Sequence, residues 1–201
     1  MKRLFLSLMM ATAVLSGTFA QTEEKKTTFG VKAEMNSNFY LVGDSEIITA
    51  TANGFGANAG LFLKTNIIDN LAIQVELLCQ YRNADFTILG QEHTLTNWGI
   101  EVPAYIMGQF AMGSGRFFFG AGPYGIAGIS AGMNDVDMYA EGNGLFTLSR
   151  WNLGVGMIVG IELGCGLQFN VNYKYGMFNS NLSNSGNLVE NTAAIGLGYR
   201  F

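Results

Sequence analysis

Hydrophobic and polar residues take alternate places along most of this chain. The clearest run is 71–82, where Leu71, Ile73, Val75, Leu77, Cys79 and Tyr81 alternate with Ala72, Gln74, Glu76, Leu78, Gln80 and Arg82. A period of two sends successive side chains to opposite faces of a strand, so this run predicts a strand with one oily and one mainly polar face. Seven further segments behave alike. In "TFGVKAEMNSNFY", Phe29, Val31, Ala33 and Met35 oppose Lys32, Glu34 and Asn36. The others run over about 55–65, 97–107, 116–131, 151–163, 167–175 and 193–201. None has helical periodicity, and the chain reads as all-β.

The connections sort into two kinds. "NIIDN", "AMGSGR" and "GCG" are tight, whereas Leu41–Asn53, Asn83–Thr94, Gly132–Ser149 and Asn179–Asn191 are long and polar, and the two kinds alternate. All long connections therefore leave from one end. That asymmetry predicts an eight-stranded antiparallel up-and-down transmembrane barrel, with four long external loops and both mature termini at the periplasmic end.

Composition decides which face is outside. Charged residues are 13% of the chain, against ~25% in an ordinary soluble protein, too few to solvate an outward polar face. The oily face is bordered by aromatics, with Phe39, Tyr81, Trp98, Trp151 and Tyr175 toward the long loops and Phe29, Phe169, Tyr199 and Phe201 toward the turns. Two such borders suit the two interfaces of a bilayer. The polar face then lines a lumen just wide enough for side chains to fill. Lys32, Glu34, Lys64, Gln74, Glu76, Gln80, Arg82, Glu101, Glu162, Gln168, Asn170, Asn172, Lys174 and Arg200 are predicted to form a packed polar network there. Buried ions are tolerated only when paired.

The first twenty residues read as an export signal, with "MKR", the apolar "LFLSLMMATAVL" and small residues up to Ala20. The expected organisation is a signal peptide at 1–20 and a barrel domain at 21–201. Without Lys2 and Arg3, nine Lys and Arg face 15 Asp and Glu, a net charge of −6, which argues against a nucleic-acid partner. Cys79 and Cys165 fall toward opposite ends of their strands and are expected to remain unpaired.

Candidate chemistry is sparse. "GAGPYG" has dinucleotide-loop spacing, but strand-like sequence follows where a helix is required. His93 is the only histidine. With Asp44 and Ser45 it offers one catalytic arrangement at the outer rim, of the kind a lipid-modifying enzyme would use. Asp135, Asp137 and Glu141 lack the spacing of a calcium loop. Neither site is expected to be functional. Folding about "AMGSGR" sets Pro103 nearly opposite Pro123, which predicts one shared ladder defect in the form of a bulge.

At "NWGIEVPAYIMGQF" and "RFFFGAGPYGIAGISAG" the chain resembles the Bacteroidetes-type, PorT-like outer-membrane β-barrel domain family. Glu101-Val102-Pro103, Gly122-Pro123-Tyr124, Tyr173-Lys174-Tyr175-Gly176 and the terminal "GLGYRF" carry the likeness. The resemblance implies location in the outer membrane of a Gram-negative bacterium. It also implies recognition of the final aromatic, Phe201, by the barrel-assembly machinery. The expected role is non-enzymatic and without a cofactor: a structural or surface-interaction protein in contact with outer-membrane lipid and an extracellular ligand of unspecified chemistry. A lipid-modifying enzyme and a narrow pore are the alternatives.

Overall fold

The computed structural model describes residues 27–43, 48–51, 54–88, 91–133, 136–140, 147–178 and 187–201. The expected signal peptide, Asp44, Ser45, Asp135 and Glu141 lie outside them. Ten strands follow one another: β1 (Thr27–Gly43), β2 (Ile48–Thr51), β3 (Gly54–Ile68), β4 (Leu71–Ile88), β5 (Gln91–Met112), β6 (Gly115–Met133), β7 (Val136–Asp137), β8 (Trp151–Glu162), β9 (Leu167–Gly176) and β10 (Asn187–Arg200). Eight of them close into an antiparallel ring in the order β1, β3, β4, β5, β6, β8, β9, β10 and back to β1. The short β2 and β7 attach above that ring, to β4 and β6.

Closure removes every long edge, which is how a sheet satisfies its own backbone. The closing ladder runs from Gly30 opposite Arg200 to Gly43 opposite Asn187. Past it, the Phe201 N–H donates to the Phe29 carbonyl at 2.9 Å, and the two rings stack 5.0 Å apart. Two tight turns contain a left-handed residue, Gly113 (φ 61°) and Gly166 (φ 90°), where a side chain would strain the backbone.

The long connections differ from expectation. Asn83–Thr94 is mostly a continuation of the β4–β5 hairpin, paired from Asn83 opposite Thr96 to Ile88 opposite Gln91. Strand pairing also absorbs Asn187–Asn191, Leu41–Gly43 and Met133. Polar composition misled here, because a hairpin above an apolar band alternates without an oily face.

The prolines do not share a bulge. The β4–β5 ladder omits Glu76 and Leu77 opposite Pro103 and Val102, and the β5–β6 ladder omits Ala104 and Tyr105 opposite Pro123 and Gly122. Register is kept across both gaps. Each proline lacks the N–H its own ladder needs, so two adjacent ladders are interrupted side by side. The β5–β6 register shift lies at Trp98/Gly99 instead.

Candidate functional site: the ionic interior and its outer cap

Alternation decides the two faces of the ring. Val31, Met35, Leu61, Val75, Leu77, Val102, Ile106, Val155, Val171 and Leu197 all point outward and exposed. The interface aromatics lie on that face: Phe29, Trp98, Trp151, Phe169, Tyr175, Tyr199 and Phe201 are exposed, and Phe39 and Tyr81 half-buried. Tyr81 packs on Trp98 (centroids 4.7 Å) and Phe201 on Tyr199 (5.2 Å). Ten residues separate Phe29 from Phe39 on β1, ~33 Å of strand at ~3.3 Å per residue, or ~25 Å of height at the usual ~40° tilt. That height matches the apolar band of a membrane barrel.

Thirteen of the fourteen network residues expected from sequence are buried on the inner face, and Arg200 reaches it from the rim with its side chain 27% exposed. The charged groups form one alternating chain. Lys32 lies between Glu76 (2.9 Å) and Glu34 (2.7 Å). Lys174 connects Glu34 (3.6 Å) to Glu101. Arg82 connects Glu101 (2.9 Å) to Glu190. Amides complete the carboxylates: Asn172 (2.6 Å) and Asn58 (3.2 Å) donate to Glu34, Gln74 (2.8 Å) to Glu76 and Asn152 (3.3 Å) to Glu190. A separate triad sits near the turns, where Glu162 holds Lys64 (3.4 Å), Arg200 (2.8 Å) and the Gln168 amide (2.7 Å). Gln80 and Asn170 are buried on the same face without an ion partner.

Lys32, Lys64, Arg82, Lys174 and Arg200 thus meet Glu34, Glu76, Glu101, Glu162 and Glu190, five cations and five carboxylates. Charge balance on this scale is what a low-dielectric interior demands. Glu190 is absent from the sequence-predicted set because it fell within a presumed loop. Its signal was nevertheless present: Glu190, Thr192, Ala194, Gly196 and Gly198 continue the inward phase of β10. Asn36, on the polar face of β1 as its alternation predicts, forms an inward amide cluster with Asn38 and Asn58, which the predicted set lacked, Asn38 donating to Asn36 at 2.9 Å and Asn36 to Asn58 at 3.1 Å.

Buried apolar side chains lie on either side of the ionic chain. Toward the turns Ala72, Tyr105, Met107, Phe118 and Ile158 form a buried cluster. Inward glycines make room for these rings: a Cβ on Gly156 would lie 3.2 Å from the Tyr105 ring, and one on Gly160 would lie 2.6 Å from that of Phe118. Toward the long connections Leu95, Ala131, Met133, Met138 and Leu148 are buried. The residues after β7 continue beside the end of β6, with Met138 N–H donating to the Ala131 carbonyl (2.9 Å) and Leu148 N–H to that of Met138 (2.8 Å). Tyr139 lies under the Arg150 guanidinium at 4.5 Å and donates to the Asn97 side-chain oxygen at 3.3 Å. Burial pushes its phenol above the usual range.

His93 is half-buried on β5, and its proposed partners Asp44 and Ser45 lie outside the described residues. Asp137 is exposed and accepts the Tyr139 N–H at 2.9 Å. Gly120, Gly122 and Gly125 of "GAGPYG" lie within a continuous strand. Cys79 and Cys165 are free and exposed.

A closed antiparallel ring with an oily exterior and a neutralised ionic interior defines a membrane β-barrel. The family described as "Outer membrane protein beta-barrel domain" matches residues 5–201, and the chain belongs to it. It is an outer-membrane β-barrel protein. Among solved structures it is similar to the outer membrane protein OprG from Pseudomonas aeruginosa, at 12% identity and TM-score 0.55, covering 87% of this chain and 95% of that one. It is also similar to Neisserial surface protein A (14%, TM-score 0.48, 86% and 97% covered) and to the outer membrane enzyme PagL (15%, 0.46, 85% and 98%). At 12% identity the OprG likeness speaks for the fold alone. No curated protein matches the sequence.

Proposed function

We propose that the protein is a non-enzymatic element of the outer membrane that acts through its external connections, as a surface-interaction or structural protein. One observation carries this reading: the interior charges are spent on each other, and apolar side chains lie at both ends of the chain they form. Among the described residues the lumen ions are paired with one another, which supports a role exercised at the outer surface. On this reading residues 1–20 are removed on export, outer-membrane lipid covers the oily band, and the assembly machinery reads Phe201. The closing-strand and Gly-Pro-Tyr likenesses support a PorT-like member.

The test combines two measurements. Purified protein in planar bilayers should give no stepwise conductance. Shortening residues 141–146 and 179–186 should abolish surface cross-linking to a protein partner on intact cells while the heat-modified gel shift persists. Stepwise channels, or a lipid A or phospholipid change lost in His93→Ala, would replace this reading with a pore or an enzyme.

A further inference from the structure

The turn-side mouth of the ring gathers more positive charge than its carboxylate balances. Glu162 (β8) stands there with Gln168 (β9) and Arg200 (β10), and Lys64 reaches it from β3. Both of its oxygens are engaged: one takes Arg200 at 2.8 Å, the other Lys64 at 3.4 Å and the Gln168 amide at 2.7 Å. Arg116 lies directly opposite Glu162 in the β6–β8 ladder and continues the inward phase of Phe118, but its exposed side chain makes no ion pair among the described residues. Three cations thus share one carboxylate, and Arg116 and Arg200 both repel Lys64 through space. Asp69, exposed in the β3–β4 turn, is ion-paired with none of them among the described residues, and the mouth stays positive even when it is counted. Water hydrates such groups but does not neutralise them, and a concave mouth of one sign concentrates counter-ions.

Depth and shape select the anion. Arg200 falls between Tyr199 and Phe201, whose exposed, packed rings belong to the turn-side aromatic border. Such borders mark the headgroup level of a bilayer, so the mouth opens where lipid phosphates lie. Guanidinium forks take phosphate oxygens in pairs. A phosphate monoester or free phosphate carries up to about two negative charges, which matches the local excess of Lys64, Arg116 and Arg200 over Glu162. A carboxylate would leave one cation over. We propose that the turn-side mouth binds a phosphate group, held by Arg116 and Arg200 with Lys64 behind them. Free phosphate and the phosphomonoester head of a lipid present the same chemistry to this site, and neither is needed for the outer-surface role.

The experiment uses the full folded chain in phosphate-free maltoside micelles, with isotope-labelled arginine side chains followed by magnetic resonance. Inorganic phosphate is titrated at constant ionic strength in one arm, and the micelles are doped with phosphatidic acid in the other. Saturable displacement of the Arg116 and Arg200 signals is expected in at least one arm, with Arg150 on the outer border unmoved. A response to inorganic phosphate alone identifies a soluble ligand, and one to phosphatidic acid alone a lipid head. Arg116→Gln, at an exposed position, should weaken binding read at Arg200 by roughly tenfold or more while the gel shift persists. Glu162→Gln, which removes the competing carboxylate, should tighten it. No saturable displacement in either arm overturns the proposal, and so does an affinity unaltered in Arg116→Gln. An equal response to chloride overturns it in favour of general screening. Binding that appears only when Glu23 and Glu24 are both changed to Gln overturns it in favour of the chain's own carboxylates.

Discussion

Lys174→Met should destabilise the barrel more than Glu101→Gln, although the two residues are partners. The ionic chain reads Glu76, Lys32, Glu34, Lys174, Glu101, Arg82, Glu190, with acid at both ends. Neutralising Glu101 divides it into Glu76–Lys32–Glu34–Lys174 and Arg82–Glu190, each balanced. The glutamine still accepts hydrogen bonds, so the loss is roughly that of charge-assisted bonds weakened to neutral ones, about 1–2 kcal/mol. Removing Lys174 instead leaves Glu76–Lys32–Glu34 and Glu101–Arg82–Glu190, each with one uncompensated carboxylate. Stranding a buried charge costs about 3–5 kcal/mol. The double variant restores the original net charge, so its cost should fall below the sum of the singles by about 1–3 kcal/mol, a coupling typical of one network. Urea unfolding in lipid vesicles, followed by the fluorescence of Trp98 and Trp151 on the outer border, reads all three. A Lys174→Met penalty no larger than that of Glu101→Gln, or strict additivity in the double variant, would refute alternating charge as the organising feature of the interior.

Three further outcomes bear on the wall. Met157 lies on the outward face of β8, six residues from Trp151 and opposite Tyr173 of β9, so Met157→Arg should cost about 2–4 kcal/mol in the same unfolding assay; an unchanged midpoint would mean that this face does not meet lipid. Gly160→Ala drives a methyl toward the Phe169 carbonyl and the Phe118 ring and should cost about 1–3 kcal/mol by overpacking, which a melting curve matching wild type would contradict. Pro123→Ala restores an N–H opposite Ala104. Its new amide should exchange with solvent as slowly as its ladder neighbours, while stability moves by less than about 1 kcal/mol because lost proline rigidity offsets the added bond. Rapid exchange would show that the gap persists for another reason.

Much of the barrel was legible because its signal is local. A strand that meets lipid on one face and a packed lumen on the other must alternate, and Leu71–Arg82 does so at all but Ala72 and Leu78. The inward ions were legible for the same reason, since Lys32, Glu34, Glu76 and Lys174 share that phase. Their partners were not: Glu34 meets Lys174 across 140 positions of chain, and pairing at that distance follows from closure, which no local pattern encodes. Glu190 and the Asn83–Thr94 hairpin were missed because strands that rise beyond the apolar band lose their oily face, and with it the contrast that marks a strand. Two prolines in sequence indicated disturbed pairing, but only the register shows which ladder each one interrupts.

The strands also stop at different levels. Beyond Tyr81, β4 continues seven residues to Ile88, about 18 Å of extra height at ~3.4 Å per residue and ~40° tilt, whereas β8 begins at Trp151 and β9 ends one residue past Tyr175. The described rim is therefore cut on a slant. Among the described residues the β4–β5 hairpin is thus the part of the wall that stands farthest out from the bilayer, on the flank across the ring from β9.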